Sequence, residues 1–425
     1  MQQTGKMNNT PYNIITIATV AIMSVLTADG ANIPEANSKT KMAAEDSLLT
    51  EGADRKYGVT DFSANYMREE PDFSAELGNQ VLMGTPVEII GEEGYWKKVS
   101  SPEPYEAWCV DKGLVEMTRK ELERYISAPK YIFTADYGHI YERPDTGSRR
   151  ISDLVAGDLL LAAPEDNNEV TAKSSNSRKT VKGGKKAKFI KASLPSGTAG
   201  YIPAENVEKF AEWAESRNAD AENIISTAER FLGVPYLWGG TSVKGVDCSG
   251  FTRMVWFMNG VLLPRNASQQ ARAGKEVPVQ VGIDSMSLSG TLPQADMKTE
   301  MLRRTAQLAP GDLIFFGTPT ESKDSIQCQG IMQDRKQAYF CERQAASAAV
   351  NRIPAKITHV GIYLGEGLFI HASGKVRISS LLPDRDDYYE LSYKMLCARR
   401  IIGEEDKGGG VVSMLKSPAY FRQDK

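Results

Sequence analysis

One cysteine and two histidines carry the chemistry that can be read from this chain. Cys248 stands in residues 234–258, VPYLWGGTSVKGVDCSGFTRMVWFM. There a glycine-rich turn (Gly239, Gly240, Gly245) runs into Asp247-Cys248-Ser249-Gly250, and Phe251, Met254, Val255, Phe257 and Met258 then recur as one helix face. This spacing places Cys248 at a helix N-terminus. Unpaired N–H groups and the positive end of the dipole favour an anion there, so the thiol is expected to lose its proton more readily. The chain has three histidines, so a cysteine enzyme would have few bases to draw on. His359 lies in ITHVGIYLG (357–365) and His371 in LFIHASG (368–374), two β-type runs joined at Gly365-Glu366-Gly367 as a hairpin. The two imidazoles are then diagonal neighbours, close enough to meet if the strands twist or bulge. A thiolate attacking an amide carbonyl needs an imidazole to hold it and then to protonate the leaving amine. A second imidazole accepting from the Nδ1–H of His359 would fix the productive tautomer. The backbone N–H of Cys248 is a candidate oxyanion donor. The competing readings are a core cysteine, a satisfied core histidine at 359, and a Cys-His-His metal site. His139, in TADYGHIYERPD, reads as structural or surface.

The elements that must hold these residues belong to an ordinary globular chain. With 425 residues, 41% hydrophobic and 25% charged, it is long enough for roughly two to four domains. Fifty-one basic residues stand against 54 acidic ones, and no aromatic-interleaved basic face stands out, so nucleic acid is not an expected partner. Five cysteines without CxxC spacing speak against a zinc ribbon and a disulfide scaffold. Cys109 and Cys397 read as core, and Cys328 and Cys341 either pair in an oxidising compartment or remain free. Near the N-terminus Lys6 precedes the apolar run IITIATVAIMSVLTA (14–28), short for a membrane span, with Ala28, Gly30 and Ala31 offering a cleavage region. Residues 1–31 are therefore expected to be a secretory signal, with an uncleaved anchor as the alternative. Residues 32–57 read as a flexible lead-in. The expected product is exported, periplasmic or extracellular, with no stable membrane span after signal removal.

Short β-type runs follow, and they repeat. Residues 58–128 read as one small barrel and 129–212 as a second, the latter carrying a basic insert around 173–191. Met67-Arg68-Glu69-Glu70-Pro71-Asp72 lines up with Ile140-Tyr141-Glu142-Arg143-Pro144-Asp145, and Tyr105-Glu106-Ala107-Trp108 with Thr198-Ala199-Gly200-Tyr201. The basic insert reads as a solvated loop. Residues 213–402 form the third unit, interrupted by a long excursion at 318–356, and 403–425 read as a C-terminal tail.

The two repeats resemble bacterial SH3-like domains. DCSGF after PYLWGG, then LAPGDLIFF, then ITHVGIYLGEGLFIHAS, in that order between residues 221 and 400, resemble the signature of NlpC-type cell-wall cysteine peptidases. The resemblance implies an α+β fold, a papain-like catalytic domain preceded by two small SH3-like β-barrels. It implies Cys248 as nucleophile, His359 as general base, His371 as the polar third member and Tyr236 as an oxyanion donor, with no cofactor or metal. Relatives of this architecture are dipeptidyl peptidases that cut the γ-D-glutamyl bond to a diamino acid in muropeptides with a free N-terminal L-alanine. In them the first barrel closes one end of the cleft. Glu106 in the YEAW strand matches the family's acidic position for the amine, Asp247 and Ser249 flank the nucleophile as further substrate contacts, and Tyr141 is a looser match in the second barrel. The expectation is a monomeric, exported peptidase acting on peptidoglycan stem peptides or muropeptides and releasing L-Ala-γ-D-Glu. An endopeptidase of intact wall with wall-binding barrels, and a non-catalytic wall-binding protein, are the alternatives.

Overall fold

The computed structural model describes residues 57–163, 169–171, 188–279, 294–319 and 355–423. The expected signal and lead-in (up to residue 56), most of the basic insert, and Cys328 and Cys341 lie outside the described residues. No described helix is long and apolar enough to cross a membrane.

The first β-unit contains β1 (Tyr57–Thr60), β2 (Ala64–Arg68), β3 (Leu77–Leu82), β4 (Pro86–Glu93), β5 (Trp96–Ser101), β6 (Tyr105–Val110) and β7 (Leu114–Met117). They pair in the order β3-β2-β6-β5-β4-β1-β7. Period-two alternation points Met67, Val87, Ile89, Val99, Ala107 and Cys109 into one core, as strands with one covered face require. The second unit is built from β8 (Lys130–Phe133), β9 (Tyr137–Tyr141), β10 (Arg150–Val155), β11 (Leu159–Ala162), β12 (Glu169–Thr171), β13 (Lys188–Ser193), β14 (Ala199–Pro203) and β15 (Val207–Lys209). Its order, β10-β9-β14-β13-β11-β8-β15, repeats the first unit strand for strand, with β12 added beside β13.

The repeat extends to single contacts. Arg68 pairs with Trp108 in one unit as Tyr141 pairs with Tyr201 in the other. The turn after each second strand is closed alike, by Asp72 accepting from the Ser74 N–H and Asp145 from the Gly147 N–H. The basic insert thus falls between the strands of the second unit that correspond to β4 and β5.

The third unit is a helix packed on a sheet. Its strands are β16 (Thr241–Ser242), β17 (Gly245–Val246), β18 (Val261–Leu262), β19 (Lys275–Val277), β20 (Leu313–Pro319), β21 (Ala355–Gly365), β22 (Leu368–Ser373), β23 (Lys375–Ser380), β24 (Met395–Arg400) and β25 (Val412–Ser413). The main sheet runs β19-β24-β20-β21-β22-β23, antiparallel throughout. The helix Cys248–Phe257 lies against β21 and β22 with every residue buried. Its polar side chains, Ser249, Thr252 and Arg253, are bonded inside the fold, and burying Phe251 contributes about 1.5–3 kcal/mol.

Residues 207–209 complete the second unit as β15, and a short helix, Phe210–Glu215, follows directly. One expectation changes here. The residues read as a tail are packed: β25 pairs with β18, Met414 and Tyr420 are buried, and Phe421 stacks on Phe210. Their glycines and lysines hide three apolar anchors whose partners are far away in sequence.

Candidate active site

The helix that carries the candidate nucleophile, Cys248, begins as its sequence requires. Asp247 is extended (φ −87°, ψ −179°) and its side chain accepts from the Gly250 N–H at 2.7 Å, an N-cap that leaves Cys248 as the first helical residue. The glycine turn before it is steric in origin. Gly239 has φ +75°, and a Cβ there would stand 2.3 Å from the Leu77 carbonyl of the first β-unit, so only glycine lets that backbone approach.

The candidate base, His359, is delivered by the hairpin. Ile362 pairs with Ile370 and Tyr363 with Phe369, with a bulge before Gly365, so His359 and His371 are diagonal neighbours, as the sequence leads one to expect. His359 Nε2 lies 2.7 Å from His371 Nδ1, and His371 Nε2 lies 3.1 Å from Ser379 Oγ. The connection therefore runs through Nε2 of His359, not through Nδ1 as expected, because the ring nitrogen far from Cβ is the one that spans the diagonal. With Nε2–H donating to His371, Nδ1 of His359 is the nitrogen free to take a proton. His371 then carries its own proton on Nε2 and donates it to Ser379. The opposite tautomers would put a hydrogen on the nitrogen that must accept.

Burial governs the protonation of this group. It lowers His359 to about 4 and His371 to about 2, the latter beneath the rings of Phe369 and Tyr389. It also pushes the Cys248 thiol up to about 12, helped by the Asp247 carboxylate and opposed by the N–H groups of Val360 and Ser249. The expected easy ionisation is thus reversed. The helix terminus offers its N–H groups, but desolvation and an acidic N-cap outweigh them. Lone charges of either sign are disfavoured here, whereas moving the proton from Cys248 to His359 creates a pair. The N–H bond from Val360, the residue next to His359, places the thiol at that strand.

Tyr236 is half-buried, and burial followed by the charges of Cys248 and Asp247 raises its phenol, so it remains an O–H donor. Asp247 is fully engaged. Oδ1 accepts from Gly250 N–H, Ser249 Oγ and Arg265 Nη1, and Oδ2 from Gly239 N–H and Arg265 Nη2. A carboxylate has about four lone-pair directions, so Asp247 has none left for a substrate ammonium. Ser249 likewise spends its hydroxyl on Asp247 and Arg265.

Glu106 and Tyr141 stand apart from this group. Along β6, Ala107 and Cys109 point into the core, which turns Glu106 outward to Lys98 at 3.8 Å with its side chain 58% exposed. Tyr141 is taken up within the second unit, beside His139 and across from Tyr201. In place of Glu106 the first β-unit presents Glu69, whose carboxylate accepts from the Tyr105 hydroxyl. Tyr105 is raised by burial and by Glu69, and it feels the charges of Arg265 and Asp247, which puts the pair beside the nucleophile loop. Glu69 is visible in sequence as part of the repeated MREEPD turn, but nothing local marks which of its acids meets Tyr105. Arg265, Ser379 and Tyr389 carried no motif signal either. Among the described residues, no group of three or more His, Cys, Asp or Glu side chains is arranged to hold a metal ion.

Comparison with known proteins gives the family of the chain. The NlpC/P60 family model matches residues 233–339 and the bacterial SH3 domain model residues 63–116. The first match ends before His359, so the histidines rest on the geometry above. Dipeptidyl-peptidase 6 of Lysinibacillus sphaericus is 30% identical over 318 residues, 73% of this chain and 87% of that protein. A gamma-D-glutamyl-L-lysine dipeptidyl-peptidase of Bacillus cereus is 23% identical over 316 residues, 72% of this chain and 71% of its own length. The crystal structure of an NlpC/P60 family protein from Bacillus cereus superposes with a TM-score of 0.55 at 20% identity, over 81% of this chain and 99% of that one, a likeness of fold.

Proposed function

The chain belongs to the NlpC/P60 family of cysteine peptidases, and we propose that it releases L-Ala-γ-D-Glu from peptidoglycan stem peptides that carry a free N-terminal L-alanine. One observation carries the reading: the first β-unit holds an acid, Glu69, oriented by Tyr105 beside the nucleophile loop. An anion and a hydroxyl at one end of a cleft suit an ammonium group, and a blocked or chain-internal alanine has none to offer. The two relatives, a dipeptidyl-peptidase and a gamma-D-glutamyl-L-lysine dipeptidyl-peptidase, support the same bond.

In this reading Cys248 Sγ attacks the γ-carbonyl carbon of D-Glu while its proton passes to His359 Nδ1. The carbonyl oxygen becomes an oxyanion facing Tyr236 O–H and the Cys248 N–H. Collapse of the tetrahedral intermediate breaks the C–N bond, and His359 returns the proton to the departing amine of the diamino acid. Water, deprotonated by His359, then hydrolyses the thioester and frees the dipeptide. His371, held by Ser379, keeps His359 in the accepting tautomer. The N-terminal apolar segment exports the protein to its substrate. Mass spectrometry of products from L-Ala-γ-D-Glu-L-Lys, free and N-acetylated, tests the reading. The dipeptide is expected from the free peptide alone, and cleavage of both at equal rates, or of neither while intact wall is digested, contradicts it.

A further inference from the structure

The bond between the first β-unit and the nucleophile loop has a consequence beyond holding the units together. β3 is the edge strand of its sheet, and three successive parts of it meet residues around Cys248. The Leu77 carbonyl abuts Gly239. Gln80 accepts from Thr241 N–H and Ser242 Oγ through Oε1, and from Thr241 Oγ1 through its backbone carbonyl. Between them Asn79 Oδ1 accepts from Arg265 Nε at 2.6 Å, while the two ends of the same guanidinium grip Asp247 at 2.6 and 3.2 Å and Ser249 Oγ at 3.0 Å. Asn79 is wholly buried and Arg265 is 1% exposed, so no water competes for these bonds.

A planar guanidinium with all its faces so committed has one orientation. We propose that Arg265 is a positioning residue for the nucleophile and that Asn79, supplied by the first β-unit, locks it in place, so that docking of the specificity unit sets the reactivity of Cys248. The inference rests on the peptidase reading above. Its physical basis is charge compensation. Asp247 sits immediately before Cys248 and opposes thiolate formation, and Arg265 cancels that field only while it is held against the carboxylate. The other groups that interact with the thiol are Tyr236 from the loop before the helix and Tyr389 from the sheet side, with His359 adjoining the Val360 N–H that bonds it, and none of them is a permanent cation. Releasing the Nε anchor frees the guanidinium to rotate, leaves Asp247 partly uncompensated, and slackens the N-cap that fixes the first helical turn.

The test uses the full chain with Asn79→Leu, which keeps the branched four-atom outline and removes the acceptor, and Arg265→Lys, which keeps the charge and removes the fork. Iodoacetamide alkylation of Cys248 at pH 8 is followed by peptide mass spectrometry, beside kcat and KM for the free tripeptide and thermal melting. In Asn79→Leu, alkylation at Cys248 is expected to slow roughly 3- to 10-fold, the equivalent of half to one pKa unit. The kcat should fall by a similar factor with KM within about twofold, the pattern of a lost transition-state interaction. Arg265→Lys should lose as much or more while still melting cooperatively, and it decides the matter if Asn79→Leu does not fold. Parental alkylation and kcat in a folded variant, or a loss confined to KM, overturns the proposal. If Cys248 of the parent resists alkylation while peptide is still hydrolysed, the nucleophile assignment itself fails, which is a different result.

Discussion

The amine end of the cleft gives the sharpest prediction, because sequence and structure point to different acids. Glu69→Gln removes a carboxylate that accepts from Tyr105, whereas Glu106→Gln removes one that faces solvent and Lys98. A hydrogen bond to a charged group is worth about 1.5–3 kcal/mol, and an exposed ion pair about 0–1 kcal/mol. Glu69 is itself solvent-exposed but is oriented by a half-buried phenol, so the lower end of the first range applies. About 1.4 kcal/mol corresponds to roughly tenfold in affinity. Glu69→Gln is therefore expected to raise KM for the free tripeptide about tenfold at low salt with kcat little changed, and the effect should shrink as ionic strength rises. Glu106→Gln should leave both constants at their parental values. The assay is initial-rate hydrolysis of free and N-acetylated tripeptide by each variant at two salt concentrations. A larger effect from Glu106 than from Glu69, or an equal effect of Glu69→Gln on the free and the acetylated peptide, would refute the placement of the amine.

Burial of the histidines predicts the acid side of the pH profile. His359 is lowered to about 4, so the base stays neutral well below the ordinary imidazole value, and kcat/KM should lose activity between about pH 5 and 4, not near 6.5. The unfolded chain takes up these protons at higher pH than the folded one, so stability is full above about 6.5 and falls as pH drops toward 4, which denaturant titration at each pH separates from catalysis. Ser379→Ala removes the acceptor of His371 Nε2–H and makes the blocking tautomer competitive; at about 1–1.5 kcal/mol for one hydrogen bond, kcat should fall roughly 5- to 10-fold, and an unchanged kcat would break the relay. Glu103 and Arg253 form an ion pair at 2.6 Å with side chains 2% and 5% exposed, joining the first β-unit to the nucleophile helix. Glu103→Gln should cost about 3–5 kcal/mol in chemical denaturation, and Glu103→Leu with Arg253→Met much less.

What could be read from the sequence was whatever is written locally. The helix after Asp247 follows from apolar spacing and a capping acid. The hairpin follows from two β-runs around Gly365-Glu366-Gly367, which set His359 and His371 diagonally. The repeat is legible because the same turn chemistry, Asp72 and Asp145 each closing its own loop, recurs at matching positions. Properties set by distant partners were not legible. The dipole at Cys248 can be read from the helix, but the desolvation that outweighs it comes from a sheet assembled more than a hundred residues later. Glu106 sits in the strand that carries Tyr105, yet strand alternation sends it outward with Lys98, and the acid that Tyr105 bonds comes from a turn 37 residues earlier (106 − 69) that only pairing brings there. The packed segment 403–423 shows neither helical nor strand period, so its anchors Met414 and Tyr420 are recognised only in contact.

The distribution of charge around Cys248 bears on how a substrate is oriented. At neutral pH the thiol and both imidazoles are uncharged, and Tyr236 keeps its proton. Among the described residues the carboxylate next to Cys248, Asp247, is cancelled by Arg265, which comes from the loop after β18. A peptide ammonium therefore meets no net attraction at the reacting centre, although a carboxylate lies in the residue next to the nucleophile. In the proposed reading Glu69, on the first β-unit, is the carboxylate left to attract it, because Asp247 is held by the guanidinium that Asn79 bonds. Were Arg265 displaced, Asp247 would compete with Glu69 for the amine and also oppose the thiolate. A free N-terminus would then be drawn to the wrong end of the cleft. Binding direction and nucleophile acidity thus depend on the same buried pair, which is why a residue of the specificity unit can affect the chemistry without touching the substrate.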